Sequence, residues 1–456
     1  MDKITSRGLT LLKDTKLSRR QALAGAAGLG VAAAGAATLS PRRAPYVKGQ
    51  AKTQLQFWSG ATEPDLTTFK KIVEQYNAQS TSFEVIFTQI PAAEVTDNSR
   101  LITAVRGGTS PDIYHMDRFT VASNAANGLV QPITEYVDEA TRAAYLPFAI
   151  EEVTYDDQIW GMPFDTDARA LYYNIGVLKE AGIDPTEFDQ ANGPVTWDRL
   201  LEVSGAASVR DANGTYSRIG FVPYANQAWH YTYGFSWGAT FYDAASCTVT
   251  PDNAQMVQAM QWVYDACASM DANAISAWET PRRVSGFPAQ QGSLVTQGVA
   301  FEVTGDWMIN QYAQYAPTAE YGITYLPVPT AGMTSATWSG GWSMVVPEGS
   351  SKVEGAVDFI KYMCGEPGQR VYTTDTRHLP TITSLTTDAS LFNERSTFFA
   401  QQLLPTSNNR PPLPVGSKYW DEMTVAYQAI YLNQSQPADA LAKAKENTQA
   451  DLQQFC

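Results

Sequence analysis

The chain has 456 residues, of which 44% are hydrophobic and 17% charged, and these values describe a folded globular protein of two or more domains. Its formal net charge is −14, from 32 Lys and Arg against 46 Asp and Glu. This acidic balance disfavours nucleic acid and anionic lipid as partners, and it leaves an uncharged small-molecule ligand open.

The N-terminal segment differs in composition from the rest of the chain. Arg19 and Arg20 precede a weakly hydrophobic run of Ala and Gly that extends from 22 to 39. This arrangement is typical of a twin-arginine export signal. A basic tail with a transmembrane anchor is the alternative, but the small residues make the run poorly apolar for its length. The protein is therefore expected to act outside the cytoplasm after removal of this signal.

Strands alternate with helices in the next part of the chain. Thr53 to Trp58 and Phe83 to Phe87 predict strands, and the apolar spacing over 65–79 predicts an amphipathic helix. A further helix is expected around 96–106, before a short strand that leads to Asp117. This alternation predicts a doubly wound α/β lobe, in which ligands collect at the carboxyl ends of the strands.

The stretch from Tyr155 to Asn174 has a different pattern. A turn-forming cluster precedes one extended segment that ends at Pro163, and a second apolar strand begins at Ala170. Between them lie polar residues, including Asp165 and Asp167. Such a segment often marks the passage of a chain between two domains, where ligands prefer to bind. An ordinary solvated loop is the alternative.

The two ends of this stretch resemble a known family. Trp160-Gly161-Met162-Pro163 and Tyr172-Tyr173-Asn174 are similar to segments of the extracellular solute-binding proteins of ABC importers, which include the maltose- and maltodextrin-binding proteins. The resemblance places a sugar-binding acid at Asp167. It also implies that the run Asp117-Arg118-Phe119 hydrogen-bonds sugar hydroxyls, with the carboxylate accepting and the guanidinium donating. A surface ion pair between Asp117 and Arg118 is the alternative.

Later segments resemble the same family in the same order. Thr196-Trp197-Asp198 resembles a helix start, for which Thr196 is a good N-cap. Gly305-Asp306-Trp307 resembles a sugar-stacking turn, and here Asp306 replaces a Pro and adds a hydroxyl acceptor. Gly340 and Gly341 lie in a segment similar to the second crossover between lobes, where paired glycines let a backbone approach a ligand closely.

Aromatic residues are concentrated in two further segments. Residues 224–242 are rich in Tyr, Trp and Phe, and we expect Trp229 and Tyr231, just past a predicted strand, to line a pocket. The segment that ends at Trp420 resembles one whose last Trp stacks on sugar in the family. We expect two final helices after it, over 422–432 and 437–455.

Together these features predict an α/β, two-lobe periplasmic-binding-protein fold, in which each lobe is a doubly wound sheet with flanking helices and crossover hinge segments join the lobes. Residues 1–43 are assigned to the export signal and the start of a linker, 44–164 and 340–375 to lobe 1, and 165–339 and 376–456 to lobe 2. The resemblance implies a monomer that closes on a neutral sugar and docks on the membrane permease of an ABC importer. The candidate ligand-binding residues are Trp58, Ser59, Asp117, Arg118, Asp165, Asp167, Trp229, Tyr231, Asp306, Trp307, Gly340, Gly341, Arg377 and Trp420.

Two other classes of function remain open at this stage. A secreted glycosidase would need two carboxylates about 5–9.5 Å apart across the scissile bond. A protein that binds a phosphorylated solute, such as glycerol phosphate, would favour several Arg and Lys or a helix N-terminus. The candidate ligand-binding residues include two arginines, Arg118 and Arg377, and a larger number of acidic residues. This excess of acidic over basic side chains favours a neutral sugar over a phosphorylated solute.

No cofactor or metal is expected from the sequence. The three His are widely scattered, and the four Cys show no CxxC spacing that would indicate zinc. Cys247 and Cys267 could form one local disulfide in an exported protein, and two buried free thiols are the alternative.

Overall fold

The computed structural model describes residues 51–282 and 291–456. The predicted export signal lies outside these described residues. The strands are β1 (Thr53–Ser59), β2 (Phe83–Gln89), β3 (Ile113–Asp117), β4 (Val130–Gln131), β5 (Thr154–Tyr155), β6 (Gln158–Ile159), β7 (Gly161–Pro163), β8 (Asp165–Thr166), β9 (Arg169–Asn174), β10 (Val209–Arg210), β11 (Tyr216–Arg218), β12 (Tyr242–Asp243), β13 (Thr248–Val249), β14 (Phe301–Gly305), β15 (Tyr321–Thr324), β16 (Trp338–Ser339), β17 (Trp342–Pro347), β18 (Leu379–Pro380) and β19 (Asn408–Asn409).

Helices flank these strands along the whole described chain, and none of those in the two described ranges is long and apolar enough to cross a membrane. The helices are α1 (Asp65–Gln79), α2 (Ala92–Thr96), α3 (Ser99–Arg106), α4 (Val121–Ala126), α5 (Glu139–Ala143), α6 (Pro147–Glu152), α7 (Ile175–Glu180), α8 (Trp197–Ala207), α9 (His230–Ser236), α10 (Ala254–Ser269), α11 (Ala272–Glu279), α12 (Trp307–Tyr315), α13 (Val353–Cys364), α14 (Glu366–Thr376), α15 (Thr383–Thr386), α16 (Glu394–Phe398), α17 (Gly416–Tyr431) and α18 (Pro437–Leu452).

The first lobe is built on a sheet with the strand order β2-β1-β3-β17-β4, in which β7 also pairs with β17. β1 runs parallel to β2 and β3, and β17 returns antiparallel to β3. Helix α1 has the predicted bounds because its apolar positions recur every three or four residues. Its Phe69 and Ile72 are fully buried, as are Leu55 and Phe57 of β1. This pattern gives α1 one apolar face, which packs in the first-lobe core.

The second lobe has a smaller sheet with the order β14-β9-β15, and all its pairings are antiparallel. Two isolated parallel bridges, Thr196 with Val328 and Ile219 with Val299, lie beside it. Thr196 caps α8 as expected, since its hydroxyl accepts from the Arg199 amide at 3.1 Å. The two-lobe α/β fold predicted from the sequence is therefore the observed one.

Two hydrophobic clusters mark the cores of the lobes. The first contains side chains of β1–β3, α1, β17 and α13, and the second contains those of β9, α8–α10, β14 and α17. Ile382, Leu385 and Leu391 pack in the first cluster, although the prediction assigned 376–456 to lobe 2. Their position follows from α15, which contacts the crossover strand β18 beside α14. The residue-level lobe boundaries stay a prediction.

Two helices differ from their expected bounds. The helix expected over 96–106 is broken into α2 and α3, because Asn98 adopts a left-handed backbone conformation with φ 55°. Helix α17 begins at Gly416, ahead of the expected 422, and its N-cap residue Val415 has no capping side chain. Because no capping residue marks this helix start in the sequence, the predicted start of α17 at residue 422 is too late. As a result, Trp420 lies on a helix.

The disulfide differs from the local Cys247–Cys267 bond that the sequence suggests. Cys247 is bonded to Cys456, 209 residues away, and Cys267 and Cys364 are buried free thiols. Cys267 lies on α10 inside the second core with no exposed surface. The Cys247–Cys267 pairing is therefore wrong, and the free-thiol alternative holds for Cys267 alone.

Candidate ligand-binding site

A cavity of about 430 Å³ opens where side chains from both lobes meet, and we call it the cleft cavity. It lies at the carboxyl end of β3, beside the chain segments that pass between the lobes. Its lining residues are Asp97, Asn98, Asp117, Phe119, Thr120, Asp167, Arg169, Gln227, Trp229, Trp338, Gly340, Gly341, Trp342, Arg410, Ser417, Trp420 and Asp421.

One wall of the cleft cavity is aromatic. The half-buried Trp229 and Trp420 have ring centroids 5.4 Å apart and planes inclined at 57°. Phe119 follows, 6.2 Å from Trp420. Trp229 directly precedes α9, and Trp420 lies one turn into α17, so two rigid elements position these rings. Such rings offer flat apolar surface to a ligand.

An ion pair faces this wall. Arg410 donates to a carboxylate oxygen of Asp117 at 2.9 Å, and its guanidinium lies 4.3 Å from the centre of the Phe119 ring. The Arg410 side chain is 6% exposed and that of Asp117 29%. Asp117 also accepts from the Phe119 amide at 3.1 Å, which fixes the carboxylate at the start of a 3-10 turn. The fixed carboxylate keeps lone pairs that can accept from a ligand.

A second ion pair joins Asp167 to Arg169. Asp167 also accepts from the Gly340 amide, and Arg169 donates to the side-chain oxygen of Gln227 at 3.2 Å. The Arg169 guanidinium stacks 3.5 Å from the centre of the Trp338 ring. Burial lowers the pKa of Arg169, and the Asp167 carboxylate opposes this shift. Arg169 therefore orients both Asp167 and Gln227 toward the cavity.

The paired glycines bring backbone to the cavity surface. Gly341 has φ 127°, and a Cβ there would lie 2.4 Å from the Asp165 carbonyl oxygen and 2.6 Å from an Arg118 nitrogen. Only glycine fits this position. The close approach lets the hinge strand β8 pack against the start of β17.

Arg118 does not line the cleft cavity, and the expectation that it binds a ligand beside Asp117 is corrected. The residue has no exposed surface, and its guanidinium donates to Glu152 and to the carbonyl oxygens of Asp165 and Gly340, each at 2.5 Å. The 3-10 turn after β3 sends the side chains of Asp117 and Arg118 to different surroundings. Arg118 therefore ties three chain segments together at the hinge, and Asp117 pairs with Arg410 instead.

Asp165 also belongs to the hinge. Its carboxylate accepts from the Trp342 amide at 2.7 Å and lies 3.5 Å from His378, whose other ring nitrogen is 3.4 Å from Asp65. Burial raises the pKa of Asp165 to about 7, and His378 opposes the shift. Burial acts to lower the pKa of His378, but the carboxylates of Asp65 and Asp165 outweigh it and raise this pKa to about 10. His378 thus carries the positive charge of this cluster at neutral pH.

Four other candidates are held away from the cleft cavity. Tyr231 and Asp306 have no exposed surface, and Asp306 accepts from the Ala168 amide at 3.1 Å. Ser59 is buried, with its hydroxyl 3.0 Å from a ring nitrogen of His115. Arg377 ends α14 and donates to the Leu391 carbonyl oxygen at 2.7 Å. These side chains do not line the cavity because each is engaged in packing or in backbone contacts.

The remaining two aromatic candidates also lie elsewhere. Trp58 is half-buried on β1, with the Arg100 guanidinium 5.2 Å from its ring. Trp307 borders a neighbouring cavity of about 310 Å³, which we call the side cavity. Gln227 lines both the cleft cavity and the side cavity, so the two adjoin. Of the sequence candidates, the cleft cavity brings together Asp117, Asp167, Trp229, Gly340, Gly341 and Trp420.

Sequence reasoning missed Arg169, Gln227 and Arg410 as site residues. Arg169 follows Asp167 by two residues and Arg410 directly precedes the segment that ends at Trp420, and neither belongs to a motif that resembles the family. Within 51–282 and 291–456, no cluster of three or more His, Cys, Asp or Glu could hold a metal ion.

Comparison with known proteins decides the family. Residues 60–370 match the model of the bacterial extracellular solute-binding protein family. The chain belongs to this family. It is 20% identical to the maltotriose-binding protein of Pyrococcus abyssi over 82% of this chain and 76% of that protein. The solute-binding protein is therefore a remote relative of a protein named for an oligosaccharide.

Solved structures show the same fold. CpMnBP1 with mannobiose bound superposes with a TM-score of 0.77 at 20% identity, over 87% of this chain and all of that one (100%). The GacH receptor of Streptomyces glaucescens, solved unliganded and with acarbose, gives a TM-score of 0.71 at 23% identity, over 89% and 99% of the two chains. At these identities the likeness establishes the two-lobe fold of the solute-binding protein.

Proposed function

We propose that this solute-binding protein is the extracytoplasmic binding component of an ABC importer, and that it holds a sugar or oligosaccharide in the cleft cavity. The observation that carries the proposal is the Trp229–Trp420 wall facing the Asp117–Arg410 and Asp167–Arg169 ion pairs. A pyranose ring has an apolar C–H face and a rim of hydroxyls. It therefore needs flat aromatic rings on one side and fixed acceptors and donors around its edge.

The charges of the cleft cavity favour uncharged rings there. Both arginines that line it, Arg169 and Arg410, already pair with carboxylates. A phosphorylated solute would need guanidinium or ammonium groups free to meet its charge. The names of the relatives support the same choice, since the Pyrococcus protein is a maltotriose-binding protein and CpMnBP1 was solved with mannobiose. A non-sugar solute such as glycerol phosphate is the less favoured alternative.

Closure of the lobes traps the ligand in this proposal. Asp117 ends β3 of the first lobe, whereas Arg410 follows β19, which pairs with β16. A ligand that contacts both walls binds the closed state better than the open one and shifts the population toward it. The closed monomer then docks on a membrane permease, which accepts the sugar.

The decisive experiment is a binding screen. Purified protein is tested by thermal shift against monosaccharides and oligosaccharides, with glycerol phosphate as the competing class, and each hit is measured by calorimetry. We expect an oligosaccharide, and not glycerol phosphate, to raise the melting temperature and to compact the protein in small-angle scattering. Binding of glycerol phosphate in preference to every sugar would refute the proposal.

Export by the twin-arginine route is part of the proposal. Replacing both signal arginines, Arg19→Lys with Arg20→Lys, should stop translocation, because this route recognises the arginine pair. The readout is the amount of processed protein outside the cytoplasm, with a single substitution far from the signal as the control. Normal amounts of exported protein in the double variant would exclude this route.

A further inference from the structure

Glu302 is a buried carboxylate without a partner among the residues that the structure describes. It lies on β14, where Glu302 and Thr304 alternate with Phe301 and Val303, so both polar side chains face the same side. The residue is 9% exposed and lines the side cavity. Within the described part of the chain it forms no ion pair or hydrogen bond. Burial raises the pKa of Glu302 to about 7, since desolvation disfavours its charged form.

The surrounding groups in 51–282 and 291–456 do not neutralise this carboxylate. Arg282 borders the side cavity, but it donates to the Trp278 carbonyl oxygen and lies 4.2 Å from the centre of the Trp278 ring. On β9, the Tyr172 hydroxyl donates to the Gly305 carbonyl oxygen at 2.8 Å. On α12, Tyr312 is 1% exposed, and its hydroxyl has no hydrogen-bond partner in the described ranges. An acid and a hydroxyl therefore border the same cavity without partners from the described protein.

The side cavity otherwise resembles a sugar site. The half-buried Trp307 supplies a flat wall, and the amides of Gln227 and Gln311 supply donors and acceptors. Because Gln227 borders the cleft cavity too, the two cavities adjoin at this amide, and adjacent rings of one oligosaccharide would occupy them in turn. The ring beside Trp307 then meets Glu302.

We propose that the ligand is an oligosaccharide with a protonated amino group on the ring in the side cavity, where Glu302 pairs with the ammonium and the Tyr312 hydroxyl accepts from it. This inference rests on the proposed function, to which it adds the class of sugar. An ionised carboxylate in a desolvated site is costly unless a cation or several donors meet it. An ammonium supplies charge and donors together, and a hydroxyl supplies one donor and no charge.

The test compares three glucose-type trisaccharides of the same linkage that differ only at the second ring carbon. Cellotriose carries a hydroxyl there, the chitosan trimer an ammonium, and chitotriose a neutral N-acetyl group. By calorimetry near neutral pH, we expect the chitosan trimer to bind at least about tenfold more tightly than the other two, as for a close desolvated charge pair. Glucosamine and galactosamine, each against its neutral parent sugar, extend the comparison to other linkages.

Substitutions separate the contribution of the Glu302 charge to binding from that of the side-chain shape. Glu302→Gln keeps the shape and removes the charge, so it should abolish the preference for the amine and leave the affinity for cellotriose within about threefold, since a neutral amide still hydrogen-bonds hydroxyls. Tyr312→Phe should weaken amine binding alone. The matched control is Glu446→Gln on α18, whose side chain is 71% exposed.

Proton release gives a readout that a merely structural Glu302 would not change. Pairing with an ammonium favours the ionised carboxylate, so at a pH where the free amine is already fully protonated, binding should release protons from Glu302 and the apparent enthalpy should vary with buffer ionisation enthalpy. Glu302→Gln should remove this variation. A wild type that binds the neutral trisaccharide as well as the amine, or an amine preference that survives Glu302→Gln, would overturn the inference and leave the proposed function standing. Failure to bind any sugar would overturn both.

Discussion

Replacing Arg118 by Met should destabilise the fold far more than it weakens ligand binding. The substitution keeps most of the side-chain volume but leaves Glu152, whose side chain is 1% exposed, as a buried charge without its partner. Removing one member of a buried ion pair typically costs about 3–5 kcal/mol. The carbonyl oxygens of Asp165 and Gly340 lose their donor as well. We therefore expect the free energy of unfolding to fall by about 3–5 kcal/mol.

Urea-induced unfolding, followed by tryptophan fluorescence, measures this loss. The double variant Arg118→Met with Glu152→Gln is the matched control, because it removes the charge that the single variant leaves buried. It should recover a large part of the lost stability. Burial raises the pKa of Glu152, and Arg118 opposes the shift, so the single variant should also shift this carboxyl further toward its neutral form.

Calorimetry on the same variants separates the two roles of Arg118. If the residue acts at the hinge, the folded single variant binds its sugar within a few-fold of the wild type. A loss of stability below about 1 kcal/mol, with affinity lowered more than about tenfold, would contradict this reasoning. That result would indicate that Arg118 contacts the ligand.

The aromatic walls and the disulfide give further predictions. Trp420→Ala and Trp307→Ala should each weaken oligosaccharide binding by about 1–3 kcal/mol in calorimetry, since each removes a large apolar surface from the ligand, and unchanged affinity in both variants would refute the stacking assignment. Cys456→Ser should lower the free energy of unfolding by about 2–4 kcal/mol in denaturant titrations, because it releases the C-terminus from Cys247. A reducing agent should destabilise the wild type to the same extent and leave the variant unaffected.

Local sequence patterns were sufficient to predict many of the helices and strands of the fold. The bounds of α1 follow from an apolar repeat within fifteen residues, and the cap of α8 from a single hydroxyl three residues ahead of the amide it binds. These features depend on residues close together in the sequence, so they can be predicted from a single sequence. The order of segments that resemble the family then predicted two lobes, and the likeness to solved structures confirmed this fold.

Long-range contacts explain what the sequence could not show. Asp117 and Arg410 are 293 residues apart, and nothing in either segment indicates the other. Asp117 and Arg118 are adjacent and suggested a shared role, but the turn after β3 separates their surroundings. The Cys247–Cys456 bond likewise depends on where the C-terminus of α18 arrives. Nothing in the sequence distinguishes Glu302 from other strand residues; only the fold shows that its carboxylate is buried and has no partner in the described part of the chain.

We predict that the protein does not hydrolyse its sugar ligand, and Glu302 is the residue that tests this prediction most directly. A glycosidase needs one carboxyl with a raised pKa and a second carboxylate about 5–9.5 Å away. Burial raises the pKa of Glu302 to about 7, which suits a general acid. Among the described residues that line the side cavity, however, Glu302 is the sole carboxylate, and the other acid near it, Glu279, shares with it only an adjoining cavity of about 410 Å³. In the cleft cavity, Asp117 and Asp167 are each engaged in an ion pair with an arginine, Arg410 and Arg169 respectively.

We therefore expect the protein to return a tightly bound oligosaccharide intact after prolonged incubation, as shown by chromatography of the released sugar. Compaction in solution scattering on addition of that sugar should accompany binding without turnover. The variants Glu302→Gln and Asp167→Asn serve as controls for trace contaminating glycosidases, whose activity would persist in both. Turnover by the wild type that either substitution abolishes would show that a carboxyl of this chain transfers a proton to the glycosidic oxygen. A general acid cannot be replaced by an amide, whereas a binding carboxylate can lose its charge and alter affinity alone.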